Sequence, residues 1–227
     1  MAKQLGLDLP GKTALGRDDF LVAPSNALAV ALIDVWPDWQ GGKLVVSGPS
    51  GSGKTHLAHV WAALSGARII DAQEVAGADI PSLAGGHMAI ENVPAIARDN
   101  DAETALFHLH NLTLANGHSL LFTGADPLPA WPIALPDLKS RLQGAAQAEL
   151  AAPDDTLLSA VLAKQFSDHQ IMPNPDVIPY LVAHMDRSFS AARDLVAALN
   201  RESLAQKRGV TRPMAKNVLD KLSPSAR

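Results

Sequence analysis

Eight consecutive residues, Gly48-Pro49-Ser50-Gly51-Ser52-Gly53-Lys54-Thr55, have the types and the order needed to hold a polyphosphate. They fit G-x-x-x-x-G-K-[ST]. Glycines let a backbone curl until several N–H groups point inward at phosphate oxygens. A helix that starts there adds its positive end. Lys54 brings a point charge for the β- and γ-phosphates, the Thr55 hydroxyl is a magnesium ligand, and His56 is the next residue at the rim. An ordinary glycine turn is the bland alternative. The flanks argue against it: residues 43–47 (KLVVS) read as a strand, and residues 55–64 read as a helix.

Other polar residues fall at predicted strand ends. In Met88-Ala89-Ile90-Glu91-Asn92, Glu91 can serve Mg²⁺, whereas the amide of Asn92 has no basicity with which to activate water. Weak or absent intrinsic hydrolysis follows as an expectation. Thr123 and Asp126 close the next strand and could sense a γ-phosphate or simply mark a turn before Pro127. Arg141, in Lys139-Ser140-Arg141-Leu142, could be an arginine finger reaching a neighbouring subunit's nucleotide, or one half of a surface ion pair. Arg193, near the start of a long predicted helix, could reach back to the phosphates or be solvated. The eight histidines form no ligand pattern: His108 and His110, two apart on a helix, point away from each other. Trp36, Trp39, Trp61 and Trp131 read as core or domain-seam residues.

The elements that must position these groups alternate. Predicted strands at 43–47, 67–71, 88–93, 119–124 and 146–150 are interleaved with helices, including 101–116. That pattern argues for a parallel sheet covered on both faces. A helix at 27–36 is introduced by Pro24-Ser25-Asn26, a capping sequence. Beyond Pro153 the segments 154–166, 176–184, 190–206 and 213–222 all read as helix. The expected organisation is a tail at 1–15, an α/β domain at 16–152 and a small all-α lid at 153–227.

Composition narrows the function classes. The 227 residues are 47% hydrophobic and 19% charged, enough for packed cores and too apolar for a disordered chain. Without cysteine there is no disulfide framework and no zinc-thiolate site. No apolar run is long enough to span a bilayer, and the N-terminus lacks a secretory signal's apolar core, so a cytoplasmic protein without membrane contact is expected. From Arg187 onward nine Lys and Arg stand against three Asp and Glu, leaving ten against twenty in the rest. A basic end can contact nucleic acid, but the acidic body opposes broad direct DNA binding.

Taken together, these residues resemble the AAA+ family of the bacterial replication initiator DnaA, and within it the Hda-type regulators that inactivate the initiator. The resemblance runs from about Phe20 to Leu222. Residues 20–26 (FLVAPSN) resemble the segment flanking the adenine pocket, which implies roles for Phe20 and Val22. Residues 120–127 (LLFTGADP) resemble the sensor 1 segment, 138–142 (LKSRL) the finger segment, and 192–201 (ARDLVAALNR) the sensor 2 helix. The sensor roles then fall on Thr123 and Asp126, the finger on Arg141 and sensor 2 on Arg193. Gln4, Leu5, Leu7 and Leu9 resemble a clamp-binding peptide, a segment that docks in extended form. Soon after the lid the sequence reaches Arg227, where the initiator continues into a helix-turn-helix domain. Glu91-Asn92 departs from the family's two aspartates. The resemblance implies ADP or ATP with Mg²⁺ as cofactors. It implies DnaA and the DNA polymerase III sliding clamp as partners, with self-assembly open and DNA reached mainly through the clamp.

Two other readings compete. An autonomous AAA+ ATPase of the helicase-loader kind predicts turnover alone, raised by single-stranded DNA. A small-molecule P-loop kinase predicts a lid of substrate-binding arginines rather than a bundle of helices. The choice between ADP and ATP stays open at this stage, because both share the β-phosphate contacts.

Overall fold

The computed structural model describes residues 21–222. Five parallel strands form one sheet in the order β2-β3-β4-β1-β5: β1 Lys43–Ser47, β2 Arg68–Asp71, β3 Met88–Glu91, β4 Leu120–Gly124 and β5 Ala146–Glu149. Each strand returns through at least one helix, as parallel pairing requires. The helices here are α1 Ala27–Asp34, α2 Lys54–Ser65, the single turn α3 Ile80–Leu83, α4 Asn100–Ala115 and α5 Pro136–Gln143. Neither α3 nor the 3-10 turns around it have a periodic signal, so they escape sequence reading.

Strand periodicity divides the interior. Val45, Ile90 and Phe122 turn to one face and pack with Leu106, Leu109, Leu138 and Leu142 of α4 and α5. Leu44, Val46, Ala89, Leu121 and Ala148 turn to the other and pack under α1 and α2 with Trp39 and Trp61. Successive strand residues point oppositely, and both faces are covered, so the strands are apolar throughout. Trp36 is half-buried, and Trp39, Trp61 and Trp131 are buried, as expected of core tryptophans.

After β5 the chain is helical: α6 Asp155–Asp168, α7 Val177–His184, α8 Phe189–Gln206 and α9 Arg212–Leu222. They enclose a separate core of Leu158, Leu162, Phe166, Leu181, Leu195, Leu199 and Val218. Asp154 caps α6 by accepting from the Leu157 N–H at 2.8 Å, and Ser188 caps α8 by accepting from Ala191 at 3.0 Å. Asn26 holds the N-cap position of α1 but bonds backward, its Oδ1 accepting from the Ala23 N–H at 2.8 Å and its Nδ2 donating to Leu21 O. It ties the opening segment to α1 rather than capping the helix.

Candidate nucleotide-binding site

Because all five strands are parallel, their C-terminal ends share one edge. In such sheets that edge is the usual place for a ligand. β1 delivers Ser47 there between Gly124 and Glu149. The chain then turns through Gly48, at φ 151°, and Gly51, at φ 72°, into α2. A Cβ on Gly48 would strike the Leu150 carbonyl, and one on Gly51 would strike the Ser188 side chain. Glycine is needed at both positions for conformation and for space. The first-turn amides of α2, which no helix satisfies for itself, face the loop.

Three observations fit this loop to a polyanion. The Ser52 Oγ is enclosed and has no hydrogen-bond partner, an arrangement that is costly unless a ligand completes it. Lys54 Nζ donates to the loop's own carbonyls, Gly48 O at 2.6 Å and Pro49 O at 2.8 Å, which holds the ammonium at the mouth. Burial lowers its pKa, against the opposing pull of Glu91 and Asp126. Lys54, Glu91 and Asp126 therefore share one electrostatic neighbourhood, although they are far apart in sequence.

Glu91 is half-buried at the end of β3, and Asn92 follows with a left-handed φ of 58°. The Asn92 N–H donates to Thr123 Oγ1 at 3.1 Å, extending the β3–β4 pairing past its last ladder pair, Ile90 with Phe122. Thr123 is buried, its hydroxyl facing this bond, and Asp126 lies exposed just beyond β4. Among the described residues no group of three or more His, Cys, Asp and Glu could hold a metal ion. Thr55 is exposed at the start of α2.

The helical unit touches the loop directly. The Phe189 N–H donates to Gly51 O at 2.8 Å, and Ser188 and Ser190 crowd the same glycine. These contacts were missed from sequence, where α8 was expected to start at Ser190; the capping serine ahead of an apolar helix was the available signal. Arg193 lies further along α8, exposed, with Nε 3.6 Å from Asp194 Oδ1. The opening segment reaches the loop's rim through Ser25 O, which accepts from the Ala151 N–H at 3.0 Å. Val22 is exposed. Phe20 and the tail residues Gln4, Leu5, Leu7 and Leu9 lie outside the described residues.

Arg141 sits elsewhere. It is exposed in the last turn of α5, a few residues before Ala146, which pairs with Leu44 at the start of β1. That is the sheet edge opposite the loop, about 13 Å away along β1. The backbone carbonyl of Arg141 accepts from the buried Lys43 Nζ at 2.6 Å, and Lys43 also contacts His110 Nε2 at 3.2 Å. Burial lowers the pKa of Lys43, with Arg141 adding to the effect. Burial pushes His110 down to about 4, opposed by its bond to Asn111 and assisted by Lys43 and Arg141. His108 is exposed while His110 is buried, as their spacing required.

Residues 155–219 match the family model described as Hda, lid domain. The whole fold is similar to domain III of the Thermotoga maritima replication initiation protein DnaA: TM-score 0.80 at 16% identity, covering 93% of this chain and 98% of that one. It is also similar to AMPPCP-bound DnaA from Aquifex aeolicus, with TM-score 0.69 at 14% identity over 84% of this chain and 68% of that one. The Thermotoga maritima RuvB Holliday junction branch migration motor follows at TM-score 0.65 and 14% identity, over 81% of this chain and 63% of that one. At such identities the structural likeness establishes the fold, an AAA+ α/β unit followed by a helical lid. Among the described residues no helix is long and apolar enough to cross a membrane.

Proposed function

Because the chain is Hda-like, with a lid of that family on an AAA+ fold shared with DnaA, we propose that it is a regulator of replication initiation: it binds an adenine nucleotide and the sliding clamp and promotes hydrolysis of the ATP held by DnaA. The observation that carries this reading is the placement of Arg141. An exposed arginine on the sheet edge opposite its own phosphate loop cannot serve that loop, but it can be offered to the nucleotide of a neighbouring molecule. There a guanidinium stabilises charge on the transferring phosphoryl group, an effect worth several kcal/mol of barrier, roughly 10³-fold or more in rate.

The chain's own site has a different job. Gly48 to Thr55, with His56 at the rim, cradle the phosphates of ADP or ATP; Thr55 and Glu91 hold Mg²⁺; Phe20 and Val22 flank the base; Thr123 and Asp126 report on the phosphate end. Arg193 closes from the lid, whose α8 is already anchored on Gly51. When bound, the nucleotide supplies a polyanion around which loop and lid settle, and mass action then favours that form. The AMPPCP found in the Aquifex aeolicus initiator supports an adenine nucleotide here. Intrinsic hydrolysis is weak or absent, since Asn92 offers no base and its N–H is engaged by Thr123. Residues 16–152 act as the nucleotide unit and 153–227 as the lid, with the clamp gripped through Gln4, Leu5, Leu7 and Leu9.

The test is hydrolysis of DnaA-bound ATP on DNA-loaded clamp. Added protein should accelerate it, Arg141→Ala should abolish the acceleration, and Gln4→Ala with Leu5→Ala should abolish the clamp dependence. Turnover by the protein alone, raised by single-stranded DNA, would instead identify an autonomous ATPase.

A further inference from the structure

The helix that carries Arg141 is gripped at both ends by buried side chains. At its start, Leu135 occupies the N-cap position of α5 without a side-chain cap. The residues leading into the helix are held instead by Glu103 of α4, which is 1% exposed. Its Oε1 accepts from the N–H groups of Arg98 at 2.7 Å and Ala134 at 3.0 Å, and its Oε2 from Leu135 at 2.6 Å and Ala134 at 3.1 Å. A carboxylate also suits the positive end of the helix it adjoins.

At the other end, the amides that follow α5 bond the carbonyls of Ser140 and Leu142 and pass over that of Arg141. Lys43 takes it, as a cation at the negative end. His110 of α4 steadies the lysine: its Nδ1–H donates to Asn111 Oδ1 at 3.0 Å, which leaves the Nε2 lone pair to face the Lys43 ammonium. Glu103 and His110 are seven residues apart on α4, two turns, and therefore on one face. α4 thus holds the start of α5 directly and its end through Lys43.

We propose that Lys43 and Glu103 are positioning residues for Arg141: holding α5 at its two ends, they fix where it lies against the sheet and so how far the guanidinium extends toward a partner. This rests on the reading of Arg141 as a finger.

The experiment compares Lys43→Met, Lys43→Arg, Glu103→Gln and Arg141→Ala in the full chain. Three readouts are taken: nucleotide affinity, affinity for nucleotide-bound DnaA on clamp, and the maximal rate of DnaA-bound ATP hydrolysis. Lys43→Met should lower the maximal rate at least tenfold while both affinities stay within about threefold, and Lys43→Arg should restore most of the rate. Amide hydrogen exchange should quicken in the last turn of α5 for Lys43→Met and at residues 134 and 135 for Glu103→Gln. Loss of rate in Arg141→Ala with full rate in Lys43→Met would overturn the positioning role alone. Full rate in Arg141→Ala would overturn the finger itself, while the exchange measurement would still decide whether Lys43 and Glu103 hold the helix. Unchanged exchange at these positions in both variants would overturn the inference whatever the rates.

Discussion

The two edges of the sheet are built on opposite terms. At the C-terminal edge, polar groups are left incomplete: the Ser52 hydroxyl is enclosed without a partner, and Lys54 rests on loop carbonyls. At the N-terminal edge, buried polar groups are completed from within. Lys43 is shared between a carbonyl and His110, and Trp36 Nε1 donates to Ser119 Oγ while Ser119 N–H donates to His87 Nδ1; at the far end of the same helix α5 the Glu103 carboxylate is likewise filled by three amides. The first edge is arranged to exchange partners with a ligand. The second is arranged to keep one helix still. Satisfied and unsatisfied groups in one domain thus separate the part that binds from the part that presents.

The sharpest way to break this comparison is Glu103→Ala. It leaves a buried cavity and three partly buried amides without their acceptor, and should cost about 3 kcal/mol of folding stability by urea unfolding. A cost under 1 kcal/mol would mean that the start of α5 is not held as described. Lys54→Ala should have the complementary signature. Calorimetric titration with ADP should show affinity reduced at least 100-fold, about 2.8 kcal/mol, with unfolding of the nucleotide-free protein changed by less than 1 kcal/mol.

Acid should weaken the second edge first. In the unfolded chain His110 takes a proton near its ordinary 6.5, whereas in the folded chain burial and the neighbouring Lys43 and Arg141 withhold it until about pH 4, against the pull of Asn111. The stability present above pH 6.5 is therefore lost as the pH falls toward 4, by an amount on the order of 2 to 3 kcal/mol. His87, lowered by burial and by His118, adds in the same direction. Melting temperatures from pH 7 to pH 4.5 should fall more steeply for the native chain than for His110→Gln. The smallest effect is expected at Ser52→Ala. Removing an enclosed, unpartnered hydroxyl should leave the nucleotide-free protein unchanged or raise its stability by less than about 1 kcal/mol, while weakening ADP binding.

Much of the first edge was legible along the chain and little of the second. The phosphate loop is eight contiguous residues between a strand and a helix, so its geometry is encoded locally. The parallel α/β layout and the helical region after it followed from periodicity alone, with ends displaced by a residue or two. Glu103, Lys43 and His110 carried no such signal. In α4, Glu103 reads as a routine first-turn acid and His110 as one histidine among eight; in β1, Lys43 reads as the polar start of an apolar run. Their roles depend on partners 31 to 98 positions away. The same holds for Ser188 and Phe189, whose contact with Gly51 spans the distance between loop and lid.

Sequence by itself determined the loop, the AAA+ layout and the residue types at each strand end, because glycine conformation, helix initiation and burial periodicity act over a few neighbouring residues. Tertiary structure alone decided that Arg141 lies at the sheet edge opposite its own phosphate loop and that buried groups brace the helix beneath it. Those facts come from strand order and from which distant side chains meet in the dry interior. A buried polar group must find its partner there, wherever along the chain that partner was encoded.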